Sequence, residues 1–167
     1  MTTIGWRFQY SLTAPVLHDM EAGWLGNRHA PKRHFAVGIT YGPFGVTIGS
    51  PVCTKDPEHA PPAPQCGCGL YAWTHRSPGN ALGIKLMAGM YQGALFEVET
   101  NDPVPSWTRT FDEHRTCFRA DKLRVRRVWV AREPMLGRPS WTKYVPFEVV
   151  PSLHAVALSR IPELEGA

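Results

Sequence analysis

The sequence lacks any long apolar run. No segment approaches the roughly 20 consecutive apolar residues that a membrane-spanning helix requires, and the first residues, MTTIGWRFQYSL, do not lead from a basic segment into a sustained apolar core. Both absences argue against a membrane protein and against a secreted one. We therefore expect a cytoplasmic protein whose cysteines stay reduced.

Three common catalytic motifs are also missing. The chain has no Gly-x-Ser-x-Gly nucleophile elbow, no glycine-rich phosphate loop that ends in Lys-Ser or Lys-Thr, and no His-Glu-x-x-His helix. Asp112, Glu113 and His114 place two carboxylates beside a histidine. General acid–base catalysis needs such groups to converge in a pocket, and a polar turn is the simpler interpretation. The sequence thus favours a protein without catalytic activity, and a small metal-containing enzyme is the weakest alternative.

Glycine and proline are abundant instead. The chain of 167 residues contains 15 glycines and 16 prolines, which together exceed the usual share of roughly 12%. Such a composition indicates many turns and few long helices. The length is that of one ordinary domain, so we assign residues 1–167 to a single domain.

Alternating apolar and polar residues predict a series of short strands. They lie at residues 5–12, 34–41, 46–48, 69–73, 94–99 and 123–130, with a further pair within 141–150. Residues 77–93 predict a helix, and residues 152–158 predict a short terminal helix or strand. The alternation in 123–130 slips at Arg126 and Arg127, as a β-bulge would cause. The predicted fold class is β-rich (α+β), a small barrel or sandwich of short strands with one or two short helices.

One histidine and three of the four cysteines lie within sixteen residues, at Cys53, His59, Cys66 and Cys68. Zn²⁺ prefers four thiolate or imidazole donors in a tetrahedron, and three cysteines with one histidine are a known structural combination. Prolines in the connecting segment reduce the entropy that is lost when the ligands assemble. The sequence therefore predicts a metal-binding loop at 53–68 that holds a structural zinc ion. Four protein ligands leave no open position for catalysis.

Two other interpretations of the cysteine cluster stay open. The cysteines could be reduced and buried independently, because free cysteine is among the most buried residue types. They could also serve a redox or disulfide function. The ligand set is open at one point as well, because His114 or Cys117 could replace one of the four donors.

Positive charge is concentrated in one segment. Residues 115–143 contain nine basic and two acidic residues, whereas the rest of the chain contains nine basic and twelve acidic ones. Cations that alternate with apolar residues on a strand could follow phosphates, while Trp107, Trp129 or Trp141 could stack on bases. The predicted contacts to nucleic acid are Arg115, Arg119, Lys122, Arg124, Arg126 and Arg127. The competing interpretation is a solvated strand face that acidic residues balance in space.

Three stretches of the sequence carry a family resemblance. They are Gly5-Trp6-Arg7, the cluster Cys53…His59-Ala60-Pro61…Cys66-Gly67-Cys68-Gly69-Leu70-Tyr71-Ala72, and Glu113-His114-Arg115…Phe118-Arg119-Ala120. Together they resemble a family of uncharacterised proteins from actinobacteria and their phages, over roughly residues 5–130. The chain departs from the family pattern at Cys117 and Phe118, and at Asp121, where the family has glutamate. The resemblance implies a zinc-bound fold and a phage or actinobacterial origin, and it transfers no catalytic residue.

The sequence as a whole predicts a zinc-stabilised, non-catalytic binding module. Its favoured partner is nucleic acid, bound through the basic segment 115–143. The alternative is a protein-binding factor, encoded by a phage, that docks on a host protein and modulates it. Exposed aromatic and arginine side chains suit protein interfaces as well as they suit nucleic acid.

Overall fold

The chain folds mainly into short strands, as its composition predicts. The computed structural model describes residues 1–9, 12, 16–18, 34–36, 38–49, 53, 56, 58–89, 93–106 and 115–166. The strands of this part are β1 (Thr3–Gln9), β2 (Val16–His18), β3 (His34–Ala36), β4 (Gly38–Gly42), β5 (Gly45–Gly49), β6 (Leu70–Trp73), β7 (Ala94–Thr100), β8 (Val104–Pro105), β9 (Cys117–Ala120), β10 (Lys122–Val130) and β11 (Phe147–Val149). Its helices are α1 (Ala81–Ala88), α2 (Leu153–Arg160) and a 3₁₀ helix at Ser140–Tyr144. The predicted β-rich class with two short helices is confirmed.

Nine of the strands form one sheet. Their order is β4-β5-β10-β7-β1-β6-β9-β8, with β11 beside β10. Neighbouring strands are antiparallel except β10 and β11, which run parallel, and β2 pairs with β3 in a separate ribbon. The sheet is not closed into a barrel, because β4 and β8 lie at opposite ends of this order and no pairing joins them within the described residues. The barrel alternative is therefore wrong.

Both faces of the open sheet are covered. On β7, Phe96 belongs to one buried cluster and Leu95 to another, and successive side chains of a strand point to opposite faces. Helices α1 and α2 cover the face of Leu95. The segment that carries the cysteines, together with Trp141 of the 3₁₀ helix, covers the face of Phe96. The two layers bury apolar surface on either side of the sheet, so a barrel interior is not needed to form a core.

The predicted irregularity of the longest strand is confirmed. The register between β10 and β7 shifts between Val125 and Arg127, which is the signature of a β-bulge. Because of this shift, Val125 and Val128 both face the cluster of Phe96, while Trp129 faces the helices. The slip in alternation that the sequence shows at Arg126 and Arg127 is thus the bulge itself.

The prediction of two strands within 141–150 is wrong in its first half. Residues 140–144 form the 3₁₀ helix, and within 141–150 only Phe147–Val149 form a strand. Trp141 is buried, with its ring centroid 5.8 Å from that of Phe96, and its Nε1 donates a hydrogen bond to Leu12 O at 3.3 Å. Packing of this large side chain into the core overrides the extended preference of the segment.

Candidate metal centre

The four predicted donors meet in space. One ligand atom each from Cys53, His59, Cys66 and Cys68 lies within 4.8 Å of all the others. The Sγ atoms of Cys53 and Cys66 are 3.8 Å apart, and Cys68 Sγ lies 3.3 Å from His59 Nε2. A tetrahedral zinc ion with bonds of about 2.3 Å to sulfur and 2.0 to 2.1 Å to nitrogen would set these separations near 3.8 and 3.6 Å. The donors therefore surround a volume of the size that one such ion occupies.

Local turns of the loop bring the donors together. Cys66 N donates to Ala63 O at 3.2 Å, which closes a turn just before the last two cysteines. Cys66 and Cys68 are separated by one residue, so the segment at the end of this turn supplies two donors within three positions. Gly69 then adopts a φ of +114°, a conformation that glycine tolerates best. This turn leads the chain from the donors directly into β6.

Two groups outside the donor set hold individual ligands in place. Asp56 Oδ2 lies 3.3 Å from His59 Nδ1, and a carboxylate at this position favours the tautomer with its proton on Nδ1, in which Nε2 can bind a metal. The backbone N–H of Ala63 donates to Cys68 Sγ at 3.3 Å. Such partners fix the orientation of a ligand and raise metal affinity.

Binding of a metal ion at this site is coupled to release of the thiol protons. Burial raises the pKa of the Cys68 thiol to about 11, and the neighbouring thiols of Cys66 and Cys53 act in the same direction, while the Ala63 N–H lowers it. Three thiolates so close together would repel each other. A divalent cation supplies the opposite charge, so metal binding and release of the thiol protons occur together.

The remaining cysteine lies outside this group. Cys117 is buried in β9, its Sγ is 3.6 Å from Phe118 O, and it is not among the clustered donors. The four cysteines are free thiols, and the 3.8 Å between Cys53 Sγ and Cys66 Sγ far exceeds a disulfide bond of about 2.05 Å. His114, together with Asp112 and Glu113, lies outside the described residues. Within the described part of the chain, the donors are thus the four that spacing predicts.

The number of protein donors indicates which function a metal ion could have at this site. Four protein donors complete a tetrahedron, as in structural zinc sites, whereas catalytic zinc keeps a position for water or substrate. Cys53 and Cys68 are fully buried and belong to the core cluster of Phe96. A metal ion here would tie the loop to the sheet. The arrangement suits stabilisation and not hydrolysis.

The basic residues predicted to contact nucleic acid do not share one environment. Arg119 is buried, with 2% of its surface exposed, and it differs in this from the rest of the predicted set. Arg124 forms an ion pair of 3.2 Å with Glu99. Arg126 lies 3.6 Å from both Glu99 and Glu97. The alternation of Glu97 and Glu99 with buried residues on β7 was the sequence signal for these partners, but only strand pairing brings them to β10.

The other three predicted contacts vary in exposure. Lys122 is exposed at the start of β10. Arg127 is half-buried, and its guanidinium carbon lies 5.8 Å from the ring centroid of Trp129. Arg115 is exposed and donates to Glu165 O at 3.3 Å. The interpretation of a strand face balanced by acidic neighbours thus fits Arg124 and Arg126, while Lys122 has no ion pair among the described residues.

Among the described residues, no helix is both long enough and apolar enough to cross a membrane. Comparison of the chain with protein-family models, with curated proteins and with solved structures gave no match. The resemblance to an actinobacterial and phage family, the cytoplasmic location and the single domain over 1–167 all stay predictions.

Proposed function

We propose that the protein is a zinc-stabilised binding module without catalytic activity. The observation that carries this proposal is the convergence of Cys53, His59, Cys66 and Cys68 within 4.8 Å. Thiolate and imidazole donors suit Zn²⁺, whereas Mg²⁺ and Ca²⁺ require oxygen ligands. Zinc bound to these four residues would contribute folding free energy to the loop and supply no reactive water.

Metal analysis of matched variants tests the zinc site. The wild-type chain is expected to retain one zinc ion, and Cys66→Ser is expected to lose it together with about 10 °C of melting temperature. A loss of a few kcal/mol lowers Tm by roughly 2–4 °C per kcal/mol in a chain of this size. Cys117→Ser is the control, because Cys117 lies outside the donor group. Elemental analysis and thermal unfolding measure both quantities, and one zinc per chain in Cys66→Ser would refute the assignment.

For the partner, we propose nucleic acid, bound through exposed cations of the basic segment 115–143. Lys122, Arg124 and Arg126 are exposed on β10, where they could contact phosphates. Tyr41 and Tyr144 are both exposed, with ring centroids 5.8 Å apart and planes inclined by 32°. The strand register aligns Tyr41 with Val46 and Val125, so the two rings lie on the face of Phe96, whereas Arg124 and Glu99 lie on the opposite face. The cations alone therefore carry this proposal, because they bind the phosphate backbone, and the rings do not extend the same surface.

The acidic neighbours of the arginines limit the expected strength of this interaction. A phosphate must compete with Glu97 and Glu99 for Arg124 and Arg126, which lie 3.2 to 3.6 Å from these carboxylates. About three phosphate contacts would give a salt dependence of about −2 in log affinity against log salt. We therefore expect moderate affinity that falls with added salt.

Fluorescence anisotropy with a labelled oligonucleotide tests this proposal. Lys122→Glu is expected to weaken binding and to reduce the salt slope by roughly one unit. Lys85→Glu is the matched control, because Lys85 is an exposed lysine on α1. Equal effects of the two changes, or no binding at low salt, would reject nucleic acid as the partner.

A protein partner is the second candidate, and exposed apolar side chains favour it. Phe44, at the tip of the hairpin between β4 and β5, is 94% exposed, and Leu136 is fully exposed. Exposed aromatic residues of this kind serve as anchors in protein interfaces. A partner captured in stoichiometric amount after nuclease treatment, and lost with Phe44→Ser, would establish this alternative. A host protein recovered in this way would also agree with a phage-encoded factor.

A further inference from the structure

Arg119 is a buried cation wrapped by the metal-binding loop. It is 2% exposed, although arginine is rarely buried without a partner. Its Nε donates to Pro105 O at 3.0 Å, and its Nη1 contacts Ala63 O at 3.2 Å and Cys68 O at 3.0 Å as well as Cys66 O. Two of these carbonyls belong to predicted zinc ligands. The guanidinium therefore fixes the backbone that carries Cys66 and Cys68.

These hydrogen bonds do not neutralise the charge of Arg119. A guanidinium stays protonated in proteins, and carbonyl groups carry only dipoles. Among the described residues, no carboxylate lies within ion-pair distance of Arg119. A buried charge is costly unless an opposite charge compensates it.

The metal centre would provide that opposite charge. Three thiolates, one neutral imidazole and one divalent cation leave one net negative charge at the site. The thiolates of Cys66 and Cys68 would belong to the same short segment whose carbonyls contact Arg119. One positive and one negative charge would then lie side by side in a largely buried region, where screening by water and salt is weak.

We infer that Arg119 is the positioning residue and the counter-charge of the metal centre. It holds the carbonyls at positions 63, 66 and 68 in the arrangement that aims the sulfur atoms at the ion, and its positive charge balances the negative one of a centre with three thiolates. This inference rests on the zinc site proposed above. It assigns to Arg119 a function other than the phosphate contact that its position in the basic segment indicates.

Cobalt binding by the full chain separates charge from hydrogen bonding. Co²⁺ bound by three thiolates and one imidazole gives thiolate charge-transfer bands and intense tetrahedral bands in the visible spectrum, and displacement by Zn²⁺ then reports zinc affinity. Arg119→Gln keeps two N–H donors on a shorter side chain and removes the charge, whereas Arg119→Lys keeps the charge and three donors on one nitrogen. We expect Arg119→Gln to lower metal affinity by roughly 10- to 100-fold, as loss of an outer-shell partner does, and Arg119→Lys to recover most of this loss.

The matched control is Arg124→Gln, the same change at an exposed arginine of β10, which is expected to leave metal affinity and spectrum unchanged. Cys66→His provides a second readout, because it removes one negative charge from the centre while keeping four donors. In the wild-type background it leaves Arg119 without its counter-charge, but in the Arg119→Gln background the centre and position 119 are both neutral. Cys66→His is therefore expected to reduce affinity less in the second background.

The outcomes separate this inference from the zinc proposal. If the wild-type chain binds no Co²⁺, the zinc site itself is wrong. If the wild-type chain binds Co²⁺ and Arg119→Gln binds it equally tightly, the zinc site stands and the inference about Arg119 is overturned. Equal losses in Arg119→Lys and Arg119→Gln would overturn the counter-charge function, because the geometry of the guanidinium hydrogen bonds and not the charge would then decide. If circular dichroism shows that Arg119→Gln is unfolded, the metal affinity of Arg119→Lys decides. An affinity within tenfold of wild type supports the inference, and a larger loss rejects it.

Discussion

Single residues decide how well the candidate metal centre is organised before an ion binds. His59 is the only nitrogen donor of the described group, and its ring must present Nε2 to the cysteines. Asp56 achieves this by lying 3.3 Å from Nδ1 on the other side of the ring. A ligand that is already oriented loses less conformational freedom on binding.

Asp56→Asn is expected to weaken zinc binding by about tenfold while leaving the fold intact, since the amide is a poorer acceptor for the Nδ1 proton. This loss of affinity lies at the low end of the usual range of roughly 10- to 100-fold for outer-shell partners, because Asp56 is more than half exposed. Competition with a chromophoric chelator measures the affinity. Glu58→Gln is the control, because the contact of Glu58 with Asp56 is made by its backbone N–H, which the substitution keeps. An unchanged affinity in Asp56→Asn would show that the histidine is oriented without the carboxylate.

Arg119 is a residue whose burial the alternating pattern of the strand does not predict. Its place between Phe118 and Ala120, followed by further basic residues, predicts an outward cation. The loop at 63–68 folds over this position and turns the side chain into an internal one. Strand alternation specifies on which face a residue lies, but not what covers that face.

At the scale of elements, Gly69 and Gly83 differ in whether the structure can accept a side chain at their positions. Gly69 joins the metal-binding loop to β6 with a φ of +114°, and an added Cβ would lie 2.9 Å from Pro62 Cβ. Gly83 lies inside α1, and nothing would meet a Cβ there within 4 Å. Position 69 therefore requires glycine. At position 83, glycine only lowers the helix propensity of α1.

Gly69→Ala is therefore expected to lower the free energy of unfolding by about 1–3 kcal/mol, because alanine is strained at positive φ. Gly83→Ala is expected to raise it by up to about 1 kcal/mol, since alanine favours a helix. Denaturant unfolding of the two variants beside wild type measures both values. The same sign of change in both would contradict the backbone geometry described here.

Elements also differ in how well local sequence predicts them. The bulge of β10 is confirmed because the slip in alternation lies between neighbouring residues. The hairpin of β4 and β5 likewise depends on a local signal, the turn residues that join its two strands. The 3₁₀ helix at Ser140–Tyr144 was predicted as a strand. Its conformation depends on the burial of Trp141 against Phe96, a residue 45 positions earlier in the printed sequence.

At the scale of the whole molecule, the metal-binding loop covers one face of a sheet whose other face carries the helices. The central strands β10, β7 and β1 have hydrogen-bonded neighbours on both sides. The loop has far fewer backbone hydrogen bonds of its own, among them Cys66 N to Ala63 O. Its order should depend on the metal more than the order of the central strands does.

Removal of zinc by a chelator is expected to increase hydrogen exchange in residues 58–69 strongly and in β7 and β1 only slightly. Regions open locally with different free energies, and the loop would lose its main cross-link. Hydrogen–deuterium exchange with mass spectrometry measures the protection of each segment. The same chelator added to Cys66→Ser serves as the control and should change nothing further. Equal loss of protection throughout would mean that the metal stabilises the fold as one cooperative unit.

Local patterns in the chain are enough to predict the β-rich class and the four residues that cluster as candidate metal donors. Both depend on neighbouring residues: alternation within single strands, and donors confined to 53–68, whose short spacing keeps loop closure inexpensive in entropy. Three other features could not be predicted from local patterns: the sheet stays open, Arg119 is buried, and Glu99 faces Arg124 from 25 residues away. These features depend on which strands pair and on which segments pack over the sheet. Both involve residues that are far apart in the chain, so the packing of the whole core determines them.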